Sequence, residues 1–252
     1  MRKTWWMHCV TGWAEKMPFD RPHHQRIARL LESFDGQVLR EHQCLFAGGT
    51  VMALTFGEYR ESVDVDFLVS DLAHYRELRN AMTGQKGLGT ITRADIPPLQ
   101  PMSELRADQY GIRTRIAIDG NPIKFEIVYE ARIALEAPTE ADQVCGIATI
   151  SPLDMATSKL LANSDRWADD GVFSRDLIDL AMMRPSLALL RDAVAKAQGA
   201  YGAAILRDLQ RAIESMRARK GRLERCMEAM AMEGPAAVVW QRIRALRRVL
   251  GE

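Results

Sequence analysis

The chain has 252 residues, 47% of them hydrophobic and 27% charged, enough to bury roughly three quarters of its unfolded surface, which excludes an intrinsically disordered protein. Lys and Arg total 34 against 33 Asp and Glu, a net charge of +1, so no global excess of positive charge marks a nucleic-acid partner, and any such binding rests on local patches. Cys9, Cys44, Cys145 and Cys226 form no CxxC pair and read as reduced thiols; with no signal-like segment and no apolar run near ~20 residues, the chain is expected in the cytoplasm and not in a membrane.

Trp5, Trp6 and Trp13 cluster near the start, and either pack on the helical half described below, the favoured reading, or present a partner surface. Ile27, Leu30, Leu31 and Phe34 then recur at i, i+3, i+4 and i+7. This spacing predicts a helix with Asp20 as N-cap and Pro22 in its first turn, ending near Gly36. Residues 44–47 form a short apolar strand, Gly48-Gly49 a tight turn, and residues 50–54 the start of a helix capped by Thr50. Val63, Val65 and Phe67 alternate with Asp64 and Asp66, predicting a half-buried strand over 62–69 with one acidic face. Residues 84–101, rich in Gly and Pro, read as a long mobile loop. A hairpin follows, with arms over 113–118 and 123–129 joined through Asp119-Gly120-Asn121-Pro122.

Ser151-Pro152-Leu153-Asp154 approximates a capping box, and from it onward the pattern is helical. Helices are expected over 174–183, 186–198, 203–219 and 235–250, separated by Pro185, Gly199, Gly202, Gly221 and Gly234. The expected organisation is therefore an α+β fold, a mixed sheet with flanking helices over 1–150, followed by a C-terminal helical domain over 151–252.

The chemistry concentrates between Gly48 and Asp66. Glycines let a backbone approach phosphate closely, and a helix N-terminus behind them offers unpaired N–H groups; Thr50 adds a hydroxyl. Asp64 and Asp66, two apart on one strand face, lie about 6 to 7 Å apart at ~3.3 Å rise per residue. Their repulsion at that distance is on the order of 2.5 kcal/mol at an effective dielectric near 20. A hard divalent cation, Mg2+ or Mn2+, suits that pair and leaves positions for phosphate oxygens. On the second hairpin arm Glu126 alternates with Ile123, Phe125 and Ile127, and would complete a three-carboxylate site if that arm lay beside the acidic strand with matching faces. Lys159 sits in an otherwise apolar helical stretch, where a buried ammonium needs a partner, for which a triphosphate would serve.

Ala47-Gly48-Gly49-Thr50 followed by Arg60-Glu61-Ser62-Val63-Asp64-Val65-Asp66-Phe67 resembles the hG[GS]…DxD signature of the nucleotidyltransferase superfamily, in the form found in the AbiEii/AbiGii toxin family of abortive-infection and type IV toxin–antitoxin systems. The segments 153–160 and Arg175-Asp176-Leu177-Ile178-Asp179-Leu180, with Arg166 between them, are similar to that family's later Lys and [KR]DxxDL motifs, so the resemblance spans about residues 25 to 185. It implies transfer of a nucleotide from a nucleoside triphosphate to an acceptor hydroxyl, in some members the 3' end of tRNA, and a cognate antitoxin as partner. Carried over by position, Gly48 and Gly49 would cradle the triphosphate, Asp64 and Asp66 bind metal, Lys159 pair with phosphate charge, and Asp176 serve as the later catalytic-site acid. Arg60 and Ser62 either hold the loop or touch phosphate.

Other signals are weaker. Residues 83–90 lack the order of a Walker phosphate loop. His8, His23, His24, His42 and His74 have no metal-ligand spacing, and a solvated helix start accounts for His23-His24. The C-terminal run Arg207, Arg211, Arg217, Arg219, Lys220, Arg222, Arg225, Arg242, Arg244, Arg247 and Arg248 is either a solvated surface or, if the residues share a face, a phosphate-binding surface for RNA. Two rival functions stand beside nucleotidyl transfer to RNA: a catalytically inactive nucleotide- or RNA-binding module, and an antibiotic-modifying nucleotidyltransferase with a small-molecule acceptor.

Overall fold

A computed structural model describes residues 19–97 and 99–251. Cys9, His8 and the tryptophan cluster lie outside these residues. The sheet holds five strands in the order β1 (Leu45–Ala47), β2 (Asp64–Val69), β5 (Asn121–Tyr129), β4 (Gly111–Ile118), β3 (Arg106–Ala107). β2 and β5 run parallel and the other neighbours antiparallel, so the sheet is mixed, as expected. Asp119 and Gly120 both adopt positive φ, +51° and +74°, the requirement of the two-residue turn whose twist matches a hairpin, and this joins β4 to β5. A small hairpin, β6 (Gln143–Val144) with β7 (Ile147–Ala148), follows.

Period-two alternation sets the faces. On β2 the side chains of Val65, Phe67 and Val69 are fully buried, and on β5 those of Ile123, Phe125 and Ile127. Phe67 packs on Phe34, Phe46 and Phe125 with centroids 5.6 to 5.8 Å apart, each contact adding about 0.5–1.5 kcal/mol beyond area burial. This face rests on α1 (Pro22–Glu32) and α4 (Leu72–Thr83). The opposite face presents Asp64, Asp66, Lys124 and Glu126 to a cleft.

The cleft's other wall is helical, formed by α5 (Pro152–Arg166), α6 (Arg175–Met183) and the end of α9 (Arg222–Ala229), with α7 (Leu187–Tyr201), α8 (Ala204–Ala218) and α10 (Ala236–Ala245) completing the helical half. Ser151 caps α5 by accepting from the Asp154 N–H at 3.1 Å. The other half of the expected capping box is absent. The Asp154 carboxylate instead accepts from the Glu136 N–H at 2.7 Å and pairs with Lys196. One connected apolar core runs from Ile27 to Leu246 through both halves. Among the described residues no helix is long and apolar enough to cross a membrane, and Cys44, Cys145 and Cys226 form no disulfide.

Several elements differ from expectation. The first helix ends at Glu32, and a further short helix, α2 (Gly36–Glu41), is capped by the Asp35 carboxylate. Asp20 caps nothing; the Glu58 carboxylate reaches in and accepts from the N–H groups of Asp20 and Arg21 at 2.7 and 3.2 Å. The stretch read as a mobile loop over 84–101 contains a turn of 3-10 helix, Gly87–Thr90, with Leu88 and Ile91 buried in the core. Gly199 interrupts no helix, lying inside α7.

Candidate active site

α3 (Gly48–Thr55) begins at the first glycine, two residues earlier than predicted. Its N-cap is Ala47, whose side chain can accept no hydrogen bond, so the first N–H groups of α3 are uncapped and open toward the cleft. Thr50 is therefore no cap: its hydroxyl is buried and bonded to the Ser62 hydroxyl at 2.8 Å and to the Asp64 carbonyl. Both glycines are needed because side chains press on them. A Cβ on Gly48, at φ +76°, would stand 2.5 Å from Oδ2 of Asp66, and one on Gly49 would stand 2.1 Å from Nη2 of Arg60.

The connection from α3 to β2 is held at four points. His24, buried at 0% exposure, accepts the Ser62 N–H at Nε2 (3.1 Å), which leaves the proton on Nδ1 to bond Oε1 of Glu58 at 2.7 Å. The view of His24 as part of a solvated helix start is thus overturned: with Ile27, Ala28 and Leu31 it occupies the i, i+3, i+4, i+7 face that enters the core. Burial lowers the His24 pKa from its ordinary value against the opposing pull of Glu58. The Glu61 N–H donates to the Met230 carbonyl at 2.9 Å. Arg60 donates from Nε and Nη2 to the two oxygens of Asp179 at 2.7 and 3.0 Å, and from Nη1 to the Glu61 carbonyl. The Tyr59 hydroxyl donates to Oδ1 of Asp179 at 2.7 Å.

Register pairs Asp66 with Glu126 and Asp64 with Lys124 across the parallel strands. Asp64 and Asp66 accept no side-chain hydrogen bond or ion pair from the described residues. Burial, then the neighbouring Asp64 and Glu126, push the Asp66 carboxyl up to about 6, a position from which a cation would release it. The matching face imagined for Glu126 is present, but its oxygens are taken by Arg113 at 3.1 Å and Lys124 at 2.5 Å. Accordingly, no ready-made set of three His, Cys, Asp or Glu ligands stands among the described residues. The donor set nonetheless fits a hard divalent ion: two adjacent carboxylates without partners, one of them strained toward protonation by its neighbours.

The helical wall supplies cations. Lys159, 5% exposed, bridges Asp176 at 3.1 Å and Asp179 at 2.7 Å, so carboxylates meet the need for a partner inferred from its apolar surroundings. Arg166 clamps both oxygens of Asp176 at 2.7 and 3.0 Å. Burial opposes ionisation of Asp176 and Asp179, but Lys159, with Arg166 on the first and Arg60 on the second, outweighs it and holds both carboxyls below the usual carboxylate range. Gly48, Gly49, Arg60, Ser62, Asp64, Asp66, Glu126, Lys159 and Asp176 all line one cleft of about 540 Å³, while Thr50 lies behind its wall. Sequence reasoning left out Tyr59 and Glu58 and discounted His24, whose partners lie 34 to 120 residues away along the chain, and also left out Arg113, whose partners Asp108 and Glu126 are nearer.

No curated protein sequence matches the chain. Among solved structures, JHP933 from Helicobacter pylori aligns with a TM-score of 0.50 at 16% identity, over 92% of this chain and 95% of its own. Another H. pylori chain, provisionally designated a nucleotidyltransferase, aligns with a TM-score of 0.46 at 17% identity over 90% of this chain and 95% of its own. A family model described as nucleotidyl transferase AbiEii toxin, type IV toxin–antitoxin system, matches residues 29–248, reaching past the motifs into the C-terminal helices. The matched stretch takes in the uncapped diglycine helix, the acidic strand beneath it and the Lys159–Asp176 wall, and the chain belongs to the AbiEii nucleotidyltransferase toxins.

Proposed function

We propose that this nucleotidyltransferase moves a nucleotide from a nucleoside triphosphate to a hydroxyl of an RNA acceptor, with Mg2+ or Mn2+ held by Asp64 and Asp66. The observation that carries it is the placement of two unpartnered carboxylates directly beside an uncapped helix N-terminus: Asp66 touches the position where Gly48 would bear a side chain. Phosphate oxygens suit the N–H groups of Gly48 and Gly49, where the helix dipole favours negative charge. A bound divalent ion would polarise the α-phosphate and offset the charge on departing pyrophosphate.

The remaining groups orient and balance. Asp176 keeps Lys159 and Arg166 on the wall that faces the phosphates, so we assign it to positioning those cations rather than to proton transfer. Arg60, with Nε, Nη1 and Nη2 all engaged, ties the loop to α6 and seats Gly49. Ser62 and Thr50 fix the entry to β2 from behind. Glu126 would join the metal ligands by releasing Arg113 and Lys124 toward phosphate.

RNA as the acceptor is supported by the C-terminal cations. Arg217, Lys220, Arg244 and Arg247 share one cleft of about 900 Å³ with Trp240, beside the Arg219 and Arg222 that Asp170 holds, a combination of basic and aromatic groups suited to a phosphate backbone and bases. We also assign the protein to the cytoplasm, where a cognate antitoxin would restrain it. The test incubates the protein with each α-labelled nucleoside triphosphate, Mg2+ and total cellular RNA. Label on RNA with release of pyrophosphate is expected; label on an aminoglycoside and not on RNA would move the acceptor to small molecules.

A further inference from the structure

Between α5 and α6 the backbone does something costly. Phe173 and Ser174, neither of them glycine, both adopt the left-handed region, at φ +52° and +49°, a conformation that L side chains avoid unless their surroundings enforce it. The enforcement is visible. Arg219 holds both oxygens of Asp170 at 2.6 Å, and Arg222, itself 5% exposed, bonds Asp170 and donates from Nη2 to the Ser174 hydroxyl at 2.9 Å. The Asp169 carboxylate accepts the Gly171 N–H at 2.8 Å. The segment is thus pinned on both sides of Phe173 by a buried guanidinium.

All of this holds an aromatic ring in the open. Phe173 is 43% exposed and, unlike Phe56 or Trp167, is not among the half-buried side chains that lean on the core. It lines the same cleft as Gly48, Gly49, Asp64 and Asp66. An apolar ring kept rigid and uncovered at the edge of a phosphate site has the properties of a stacking platform, because every nucleobase presents a π-face.

We propose that Phe173 forms the nucleobase subsite, its ring stacking on the base of the incoming nucleoside triphosphate while the phosphates sit at the diglycine turn. This rests on the nucleotidyl-transfer reading above and adds the place where the base lies. Stacking tolerates any base, so Phe173 contributes affinity for a nucleoside over bare phosphate and little choice among the four bases.

The experiment measures equilibrium binding of α,β-methylene nucleoside triphosphates and of inorganic tripolyphosphate, each with Mg2+, to the wild type, Phe173→Ala and Phe173→Trp. Phe173→Ala is expected to weaken the nucleotide analogues about tenfold, with Phe173→Trp near wild type and tripolyphosphate affinity equal in all three. Equal analogue affinity in Phe173→Ala and wild type overturns the assignment, and with a raised KM for RNA alone it places an acceptor base on the ring instead. Parallel loss of analogue and tripolyphosphate overturns it too, by showing that the ring only supports the loop. A wild type that binds neither probe sinks the nucleotide-binding reading itself, an outcome distinct from the others.

Discussion

Arg60 and Asp179, 119 residues apart, form a two-point ion pair with Nε–Oδ1 at 2.7 Å and Nη2–Oδ2 at 3.0 Å, joining the loop before the acidic strand to the helical wall. Both side chains are almost fully buried, at 6% and 0% exposure. Removing one partner of such a pair leaves an uncompensated buried charge, at a cost of about 3–5 kcal/mol. Asp179→Ala also removes the hydrogen-bond partner of Tyr59 and one of the two carboxylates on Lys159. Its melting temperature is expected to fall by roughly 6–20 °C. A thermal scan matching wild type would show the pair to be incidental.

Glycine at position 48 is demanded twice, by φ +76° and by Oδ2 of Asp66 at 2.5 Å from any added Cβ. Gly48→Ala therefore pushes Asp66 away from the turn. Turnover is expected to fall about a hundredfold or more, the usual effect of an ångström-scale misplacement of reacting groups. Steady-state kinetics on folded variant, checked by circular dichroism, decide it; an unimpaired kcat would detach Asp66 from the chemistry.

Asp66 pays for its position in the absence of a cation. A carboxyl whose folded value is about 6, against an ordinary 3.8, favours the unfolded state once ionised; the loss sets in above 3.8 and is complete above 6. The difference at pH 7 is on the order of 2–3 kcal/mol. Asp66→Asn is thus expected to melt several degrees above wild type in chelator while losing nucleotidyl transfer. Mg2+ should raise the wild-type melting temperature and leave the variant's where it was. Transfer activity retained in both Asp64→Asn and Asp66→Asn would refute the metal role.

His24 gives the fold a pH dependence of defined sign. Its folded pKa lies below the ordinary 6.5, so as pH falls below 6.5 the unfolded chain takes up the proton first and stability declines, levelling off once the folded imidazole is also charged. Protonation also removes the Nε2 lone pair that accepts the Ser62 N–H. His24→Gln keeps an acceptor and a donor but does not titrate. The gap between the wild-type and His24→Gln melting temperatures, followed downward from pH 7.5, is expected to shift in the variant's favour below 6.5. A constant gap would show that His24 titrates normally.

The parts of this protein legible in sequence are those governed by short-range periodicity. Alternation in residues 63–67 and 123–127 located β2 and β5 and turned their acids to one face, and Gly48-Gly49 marked a place where backbone is approached closely. Register was beyond reach, since β2 and β5 are neighbours across some fifty intervening residues and no local pattern in either strand marks its partner. α4 was missed although Tyr75, Leu78 and Met82 mark its buried stripe and Asp71 caps it, because charged residues dilute the signal. Thr50 misled through composition: a favoured cap residue lost its task because the helix had already begun at a glycine. His24 shows the converse, a polar residue on an apolar face whose burial depends on a glutamate 34 positions downstream.

Among the described residues, Arg60, Lys159 and Arg166 form ion pairs with two carboxylates, Asp176 and Asp179. The paired cluster therefore carries one more positive than negative charge, and the cleft's unpaired carboxylates, Asp64 and Asp66, stand on the facing strand. Charge stoichiometry thus makes this wall incomplete by itself: an anion arriving in the cleft completes the count, and one departing reopens the deficit.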